Sequence, residues 1–260
     1  MIETAANEIL IKERDGPVFI ARMNRPERLN ALGGGLSEAM NDAWFEFRED
    51  PSLKVMILTG VGDRAFCVGA DLRRNDQRFR ELGAESGRAL LDADRQPRVR
   101  TSFTGNNLGL NKPVIAAING WCLAGGCEIA MGCDLRIIEE HAQLGLPESK
   151  RSMSAKSTTH KIYFLTAMGL GLEMLWTGNP LTARRALEAG LVNEVVPTGS
   201  SLERARQLAK EMAAIATPIL EYQKRVFFQN IGVPLSYALS SNDNVPSHIW
   251  DAFRSTSSQA

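Results

Sequence analysis

The sequence predicts an α/β fold with a C-terminal helical region, and three observations carry that expectation. Lys54 to Thr59 and Pro113 to Ile118 are short, largely apolar runs of the kind that form strands buried on both faces, and Asp134 to Glu139 reads as a third strand. A glycine turn and a helical stretch, Gly126 to Met131, stand between the last two and give the alternation strand, turn, helix, strand. From Ala155 onward the pattern becomes mostly helical. At 260 residues the chain can bury a substantial core. It divides into residues 1–196, a core that carries the site, and 197–260, a helical region for subunit contacts.

The elements follow in order. Ile9 to Lys12 and Val18 to Met23 read as two strands joined at Asp15-Gly16, a strong local turn signal. After a loop from Asn24 to Asn30, the residues Leu36, Met40, Ala43, Trp44 and Phe47 recur at helical spacing until Asp50-Pro51 ends the run. Gly60 and Gly62 turn the chain behind the strand of Lys54 to Thr59. The tract Arg73 to Asn107 is rich in arginine and weakly periodic apart from Phe79 to Leu91, so a helix and loops are expected there. Helices are expected over Thr158 to Met168, Leu172 to Trp176 and Thr182 to Ala189, with Thr182 as an N-cap and Gly190 as a C-terminal stop. A short strand, Leu191 to Val196, precedes three helices: Ser201 to Ala214, Pro218 to Asn230, with its proline at the helix start, and Leu235 to Ser240.

Thirty basic and thirty acidic side chains cancel, which argues against a nucleic-acid binder resting on a broad positive field. Cys67, Cys122, Cys127 and Cys133 fall on core segments without C-x-x-C spacing, so they read as reduced, buried thiols rather than a disulfide framework or a zinc site. Met1 to Leu10 lack the features of a targeting peptide, and no apolar run reaches the length of a membrane span. A soluble cytoplasmic protein without membrane or nucleic-acid partners is the expectation.

Candidate chemistry centres on two glutamates, Glu128 behind Gly125-Gly126 and Glu148 in Leu144-Gly145-Leu146-Pro147-Glu148. The intervening helix start, strand and turn allow both carboxylates to return to one pocket. Gly125-Gly126 opens a helix, where backbone N–H groups lack intrahelical partners and lie at the positive end of the dipole. The turn Phe66-Cys67-Val68-Gly69-Ala70-Asp71 can present a second N–H, from Ala70. Each feature alone has a plainer reading. The glycines serve tight turns and close packing, Glu128 complements a helix dipole, and Glu148 caps a helix or pairs with Lys150 or Arg151.

Taken together, these segments resemble a known family. Lys112-Pro113-Val114-Ile115-Ala116-Ala117-Ile118-Asn119-Gly120, Leu123-Ala124-Gly125-Gly126-Cys127-Glu128 and Cys133-Asp134-Leu135-Arg136 closely resemble the enoyl-CoA hydratase/isomerase (crotonase) superfamily. So do Asn24 to Leu32, Ala65 to Leu72, Leu181-Thr182-Ala183 and Gly190-Leu191-Val192, all in the family's order. The resemblance implies a crotonase-like spiral of β-β-α turns with two nearly perpendicular sheets, assembled as a homotrimer or homohexamer. It implies an acyl-CoA thioester substrate and no metal or redox cofactor. By position, Ala70 and Gly125 match the amides that hold the thioester oxygen, and Arg28 with Ala70, Asp71, Leu72 and Arg73 matches positions that contact coenzyme A. Glu148 matches the residue that handles the α-carbon proton, and Glu128 the one that handles water. Two acids favour hydration of a 2-enoyl-CoA. The alternatives are another reaction of the same enolate (isomerisation, hydroxyacyl-CoA dehydration, thioester hydrolysis) or a non-catalytic acyl-CoA binder.

Three places depart from the family pattern. No glycine occurs between Gly145 and Gly169, where many hydratases carry a glycine-rich run, and an ungapped match puts Lys156 near the position of the catalytic water. Trp121 replaces a smaller residue; it narrows the acyl channel or, as the default for a lone tryptophan, fills core. Ile249 to Phe253 only loosely resembles the family's last helix. Phosphate-loop, dinucleotide, nucleophile-elbow and HExxH signatures are missing, and His141, His160 and His248 are isolated.

Overall fold

The computed structural model describes residues 8–71 and 109–241, apart from the side chains of Lys156, Ser157 and Ser241. The expectations for Arg73 to Asn107 and for Ile249 to Phe253 fall outside these residues. Strand β1 (Leu10–Asp15) turns directly into β2 (Val18–Met23), antiparallel, with Asp15 opposite Val18. From β2 outward the sheet is parallel, through β3 (Val55–Gly60), β5 (Val114–Ile118), β7 (Leu135–Glu139) and β10 (Glu194–Val196). These make a six-stranded sheet in the order β1-β2-β3-β5-β7-β10.

A second, four-stranded sheet runs β4 (Ala65–Cys67), β6 (Trp121–Leu123), β8 (Gln143–Gly145) and β9 (Leu181–Thr182), with only the last pair antiparallel. Three times the chain passes from the first sheet to the second within a few residues: β3 to β4, β5 to β6 and β7 to β8. Each turn of the resulting spiral therefore gives one strand to each sheet. Asn119 staples the first two crossings, donating to Gly60 O at 2.9 Å and Gly62 O at 2.6 Å and accepting from Gly60 N at 3.3 Å. A strand of two or three residues shows no readable period, which is why the residue pattern predicted the first sheet and not the second.

The first sheet is buried on both faces because its side chains alternate between two cores. Phe19, Ala21, Met56, Leu58, Ala116, Ile118 and Ile138 join the larger core beneath helix α1 (Leu36–Glu49) and helix α2 (Gly125–Gly132). Val18, Ile20, Val55, Ile57, Ile115, Ala117 and Ile137 point the other way, where alanines of a later helix cover them.

The expected helix over Thr158 to Met168 is instead broken into α3 (Lys156–Thr159) and α4 (Ile162–Leu165), while the helix expected over Leu172 to Trp176 is present and longer, as α5 (Met168–Thr177). Extended backbone at Thr166 (φ −155°, ψ 173°) separates the last two, at a β-branched residue with low helical preference. Helix α6 (Ala183–Glu188) starts as expected, with Thr182 Oγ1 accepting from Arg185 N at 3.2 Å. Helix α7 (Ser201–Ala213) seals the second core with Ala205, Ala209 and Ala213, one per helical turn along a single face. Helices α8 (Thr217–Gln229) and α9 (Leu235–Ser241) follow, and Lys224 of α8 is tied to Asp134 Oδ2 at 2.8 Å. Among the described residues no helix is long and apolar enough to cross a membrane. The four cysteines are free and buried.

Trp121 does not fill core. It is exposed at the start of β6 and lines a surface groove with Leu29, Asp63, Arg64, His141 and Thr198. Cys122, the next residue, takes the core face of that short strand.

Candidate active site

The site forms where β4 ends, β6 ends and α2 begins. Gly126, the second residue of α2, lies so close to β4 that an added Cβ would stand 2.0 Å from Cys67 O. Gly69 takes φ +84°, and a Cβ there would meet both Ala124 Cβ and Gly125 N at 2.7 Å. Only glycine allows this approach of one backbone to the other. Ala124 holds φ 50° and ψ −128°, a conformation costly for a residue with a Cβ, and its N–H is held by Gly145 O at 2.9 Å. The strained residue turns Gly125 N out of the helix.

Two amides come together as a result. The Cβ position of Gly125 is 3.9 Å from Ala70 N, and among the described residues neither Ala70 N nor Gly125 N donates to a backbone carbonyl. The neighbouring amides are used: Leu32 N donates to Gly69 O at 2.7 Å and Asp71 N to Leu32 O at 2.9 Å, which locks the Ala70 turn to the Leu32 segment. A pair of unclaimed N–H groups beside a helix N-terminus suits an oxygen carrying partial negative charge.

The two glutamates stand close enough for the charge of Glu128 to bear on Glu148. Glu128 lies one turn into α2 and is buried, its Oε1 accepting from Thr158 N at 3.2 Å. Glu148 follows β8 in the 3-10 turn Pro147–Arg151; the register Leu123↔Gly145 between β6 and β8 sets that turn beside the start of α2. Glu148 Oε2 is buried with no hydrogen-bond partner. Burial, reinforced by the charge of Glu128, pushes the Glu148 carboxyl above its ordinary value. The plainer ion pair with Lys150 does not form: that ammonium donates to Asn179 Oδ1 at 2.8 Å. The buried thiol of Cys127 is pushed far up by its burial and by both carboxylates, so it stays neutral.

The other end of α2 is held by a buried cation. Arg136 donates Nη1 to Cys133 O at 2.6 Å and Ala130 O at 3.4 Å, and Nε to Leu191 O at 2.6 Å. A cation on the last carbonyls reinforces the dipole whose positive end faces the two amides.

Of the positions matched to coenzyme A contacts, Arg28 is exposed on the 3-10 turn Pro26–Arg28, and Asp71 is engaged by Arg25 Nη2 at 3.0 Å. Leu72 and Arg73 lie outside the described residues, as does the side chain of Lys156. Arg25 also donates to Ala31 O at 2.6 Å, and Asn30 accepts from Arg25 N and donates to Ala65 O at 2.7 Å. These two residues fasten the loop carrying Arg28 to the loop carrying Ala70. Arg25, Asn30, Arg136 and Thr158 thus support the site with no role read for them from the sequence, and Asp71, matched to a coenzyme A contact, is the carboxylate that Arg25 holds. Their partners lie far along the chain, 46 residues apart for Arg25 and Asp71 and 30 for Thr158 and Glu128.

Residues 13–250 match the model of a family described as enoyl-CoA hydratase/isomerase. A short-chain-enoyl-CoA hydratase of Clostridium acetobutylicum is 31% identical over 232 residues, 89% of this chain and 85% of the relative. An (E)-benzylidenesuccinyl-CoA hydratase of Thauera aromatica is 31% identical over 241 residues, covering 92% of this chain and 88% of the relative. The crystal structure of an enoyl-CoA hydratase from Bacillus anthracis superposes with a TM-score of 0.79 at 30% identity, covering 90% of this chain and 87% of that one. The two-sheet spiral, the paired amides and these matches agree: the chain belongs to the enoyl-CoA hydratase/isomerase family, with the crotonase fold.

Proposed function

We propose that the protein is an enoyl-CoA hydratase, adding water across the double bond of a 2-enoyl-CoA thioester. The observation that carries this is the unclaimed amide pair, Ala70 N and Gly125 N, set beside two carboxylates of which one, Glu148, has a raised pKa and an unpartnered buried oxygen. The N–H groups form the oxyanion hole. They polarise the thioester carbonyl and hold the enolate charge, each donor contributing about 3 kcal/mol to the transition state. Water oxygen bonds to the β-carbon as the C=C π bond opens, and Glu128 takes the water proton. Glu148, whose pKa burial raises, delivers its proton to the α-carbon when it is in the protonated form. Transfer of the proton from Glu128 back to Glu148 through solvent completes the cycle.

Coenzyme A arrives with the substrate, so the reaction asks for no resident cofactor. Arg28 stands on the exposed loop beside Ala70, a position suited to the anionic part of coenzyme A. Helix α8 has no buried residue within one chain, and Phe227, Phe228, Leu235, Tyr237 and Leu239 of α8 and α9 are exposed, a face suited to subunit contacts in a homotrimer or homohexamer. Four free thiols suit a reducing cytoplasm.

The test is incubation with short, medium and aryl-substituted 2-enoyl-CoA thioesters while the conjugated absorbance is followed and the products are weighed by mass spectrometry. A gain of one water with at least one thioester is expected. Isomerised product without mass gain, free coenzyme A, or no turnover of any thioester would overturn the reading.

A further inference from the structure

We infer that the hydroxyl of Thr158 holds the reacting water, or in the reverse direction the β-hydroxyl of the product, together with Glu128. The inference rests on the hydratase reading above and adds a residue to it.

The segment that carries Thr158 has no glycine, and Thr158 is fully buried. Its N–H donates to Glu128 Oε1 at 3.2 Å, which fixes the residue against the carboxylate that takes the water proton. Thr158 Oγ1 is itself buried and has no hydrogen-bond partner. A threonine in a helix commonly turns its hydroxyl back onto the carbonyl four residues earlier. Its neighbour Thr159 does this, donating to Ala155 O, and Thr158 does not. A buried hydroxyl without a partner is costly to keep and calls for an occupant of matching polarity.

Geometry limits where that occupant can be. In any staggered rotamer a threonine Oγ1 lies ~3–4 Å from its own amide nitrogen. With the amide on Glu128 Oε1, one water can bridge hydroxyl and carboxylate through two ordinary hydrogen bonds. Glu148 Oε2, likewise buried without a partner, belongs to the acid assigned to the α-carbon. The hydroxyl therefore serves the β-carbon end. It orients the water by one hydrogen bond and exchanges no proton with it.

Hydration and α-proton exchange separate this role from simple packing. Exchange of the α-hydrogen of a saturated acyl-CoA with solvent deuterium needs the amide pair and Glu148, and forms no bond at the β-carbon. Thr158→Val keeps the shape and removes the hydroxyl. Thr158→Ser keeps the hydroxyl and removes a methyl group. Loss of one hydrogen bond to a reacting group predicts a ~10- to 100-fold fall in hydration kcat for Thr158→Val. α-Exchange should fall at least ~10-fold less than hydration, and Thr158→Ser should recover most of the hydration rate. Equal loss of both reactions in Thr158→Val, or hydration within about twofold of wild type, would overturn the assignment. So would a serine variant as slow as the valine variant. If wild-type protein exchanges the α-hydrogen yet hydrates no thioester, the hydratase reading itself fails and takes this assignment with it.

Discussion

In the proposed mechanism Glu148 sets the pH dependence, because it must be protonated to hydrate and ionised to dehydrate. Burial and the charge of Glu128 both raise its pKa. Hydration kcat is therefore expected to fall as pH rises through that raised value, and dehydration kcat to fall as pH drops through it; rate profiles in the two directions check this. Stability carries the same sign. A carboxyl raised in the fold favours the folded state when protonated, so its contribution is fully present below the unfolded carboxylate range and is lost as pH rises through the folded value. Urea midpoints of wild type minus Glu148→Gln should thus decline over that window. At this scale the two candidate acids were legible as a pair, since acids beside glycine turns are a local signal. The residues that position them were not. Arg25 and Thr158 have partners in distant segments, and a lone arginine or threonine carries no mark of burial in the sequence.

Among the elements, helix α2 matters most, because both its ends serve the site. Its start is pressed against β4 at Gly126, and its finish is capped by Arg136. An added methyl group at Gly126 meets backbone at Cys67, which cannot rotate away. Gly126→Ala is expected to cost at least ~2 kcal/mol in urea unfolding and to lower kcat by displacing Gly125 N. Unchanged stability would mean that the helix and β4 are not in fixed contact. The long elements were readable from the sequence: β2 and α1 by apolar pattern, α6 by its Thr182 cap. The second sheet was readable only through resemblance, because β4, β6, β8 and β9 owe their existence to the neighbouring strands and not to local preference. Trp121 shows the same limit. Composition favours a buried tryptophan, and a sheet face decides otherwise.

For the whole molecule, the two sheets share one turn of chain at each crossing, so the amide pair is built by tertiary contact and no local segment can form it alone. Helix α7 closes the core, whereas α8 and α9 leave an apolar face uncovered within one chain. Phe227→Glu with Leu235→Glu is expected to shift the mass seen by sedimentation from a trimer or hexamer to a monomer, and unchanged sedimentation would place the contacts elsewhere. The central claim is that one oxyanion hole serves two acids with separate duties. Its most direct test is to measure hydration and solvent deuterium exchange at the α-carbon side by side in Glu148→Gln and Glu128→Gln. The account predicts that Glu148→Gln loses both by about 100-fold or more, and that Glu128→Gln loses hydration to a similar degree while keeping most of the exchange. Undiminished hydration in Glu148→Gln, or equal loss of both reactions in Glu128→Gln, would contradict it.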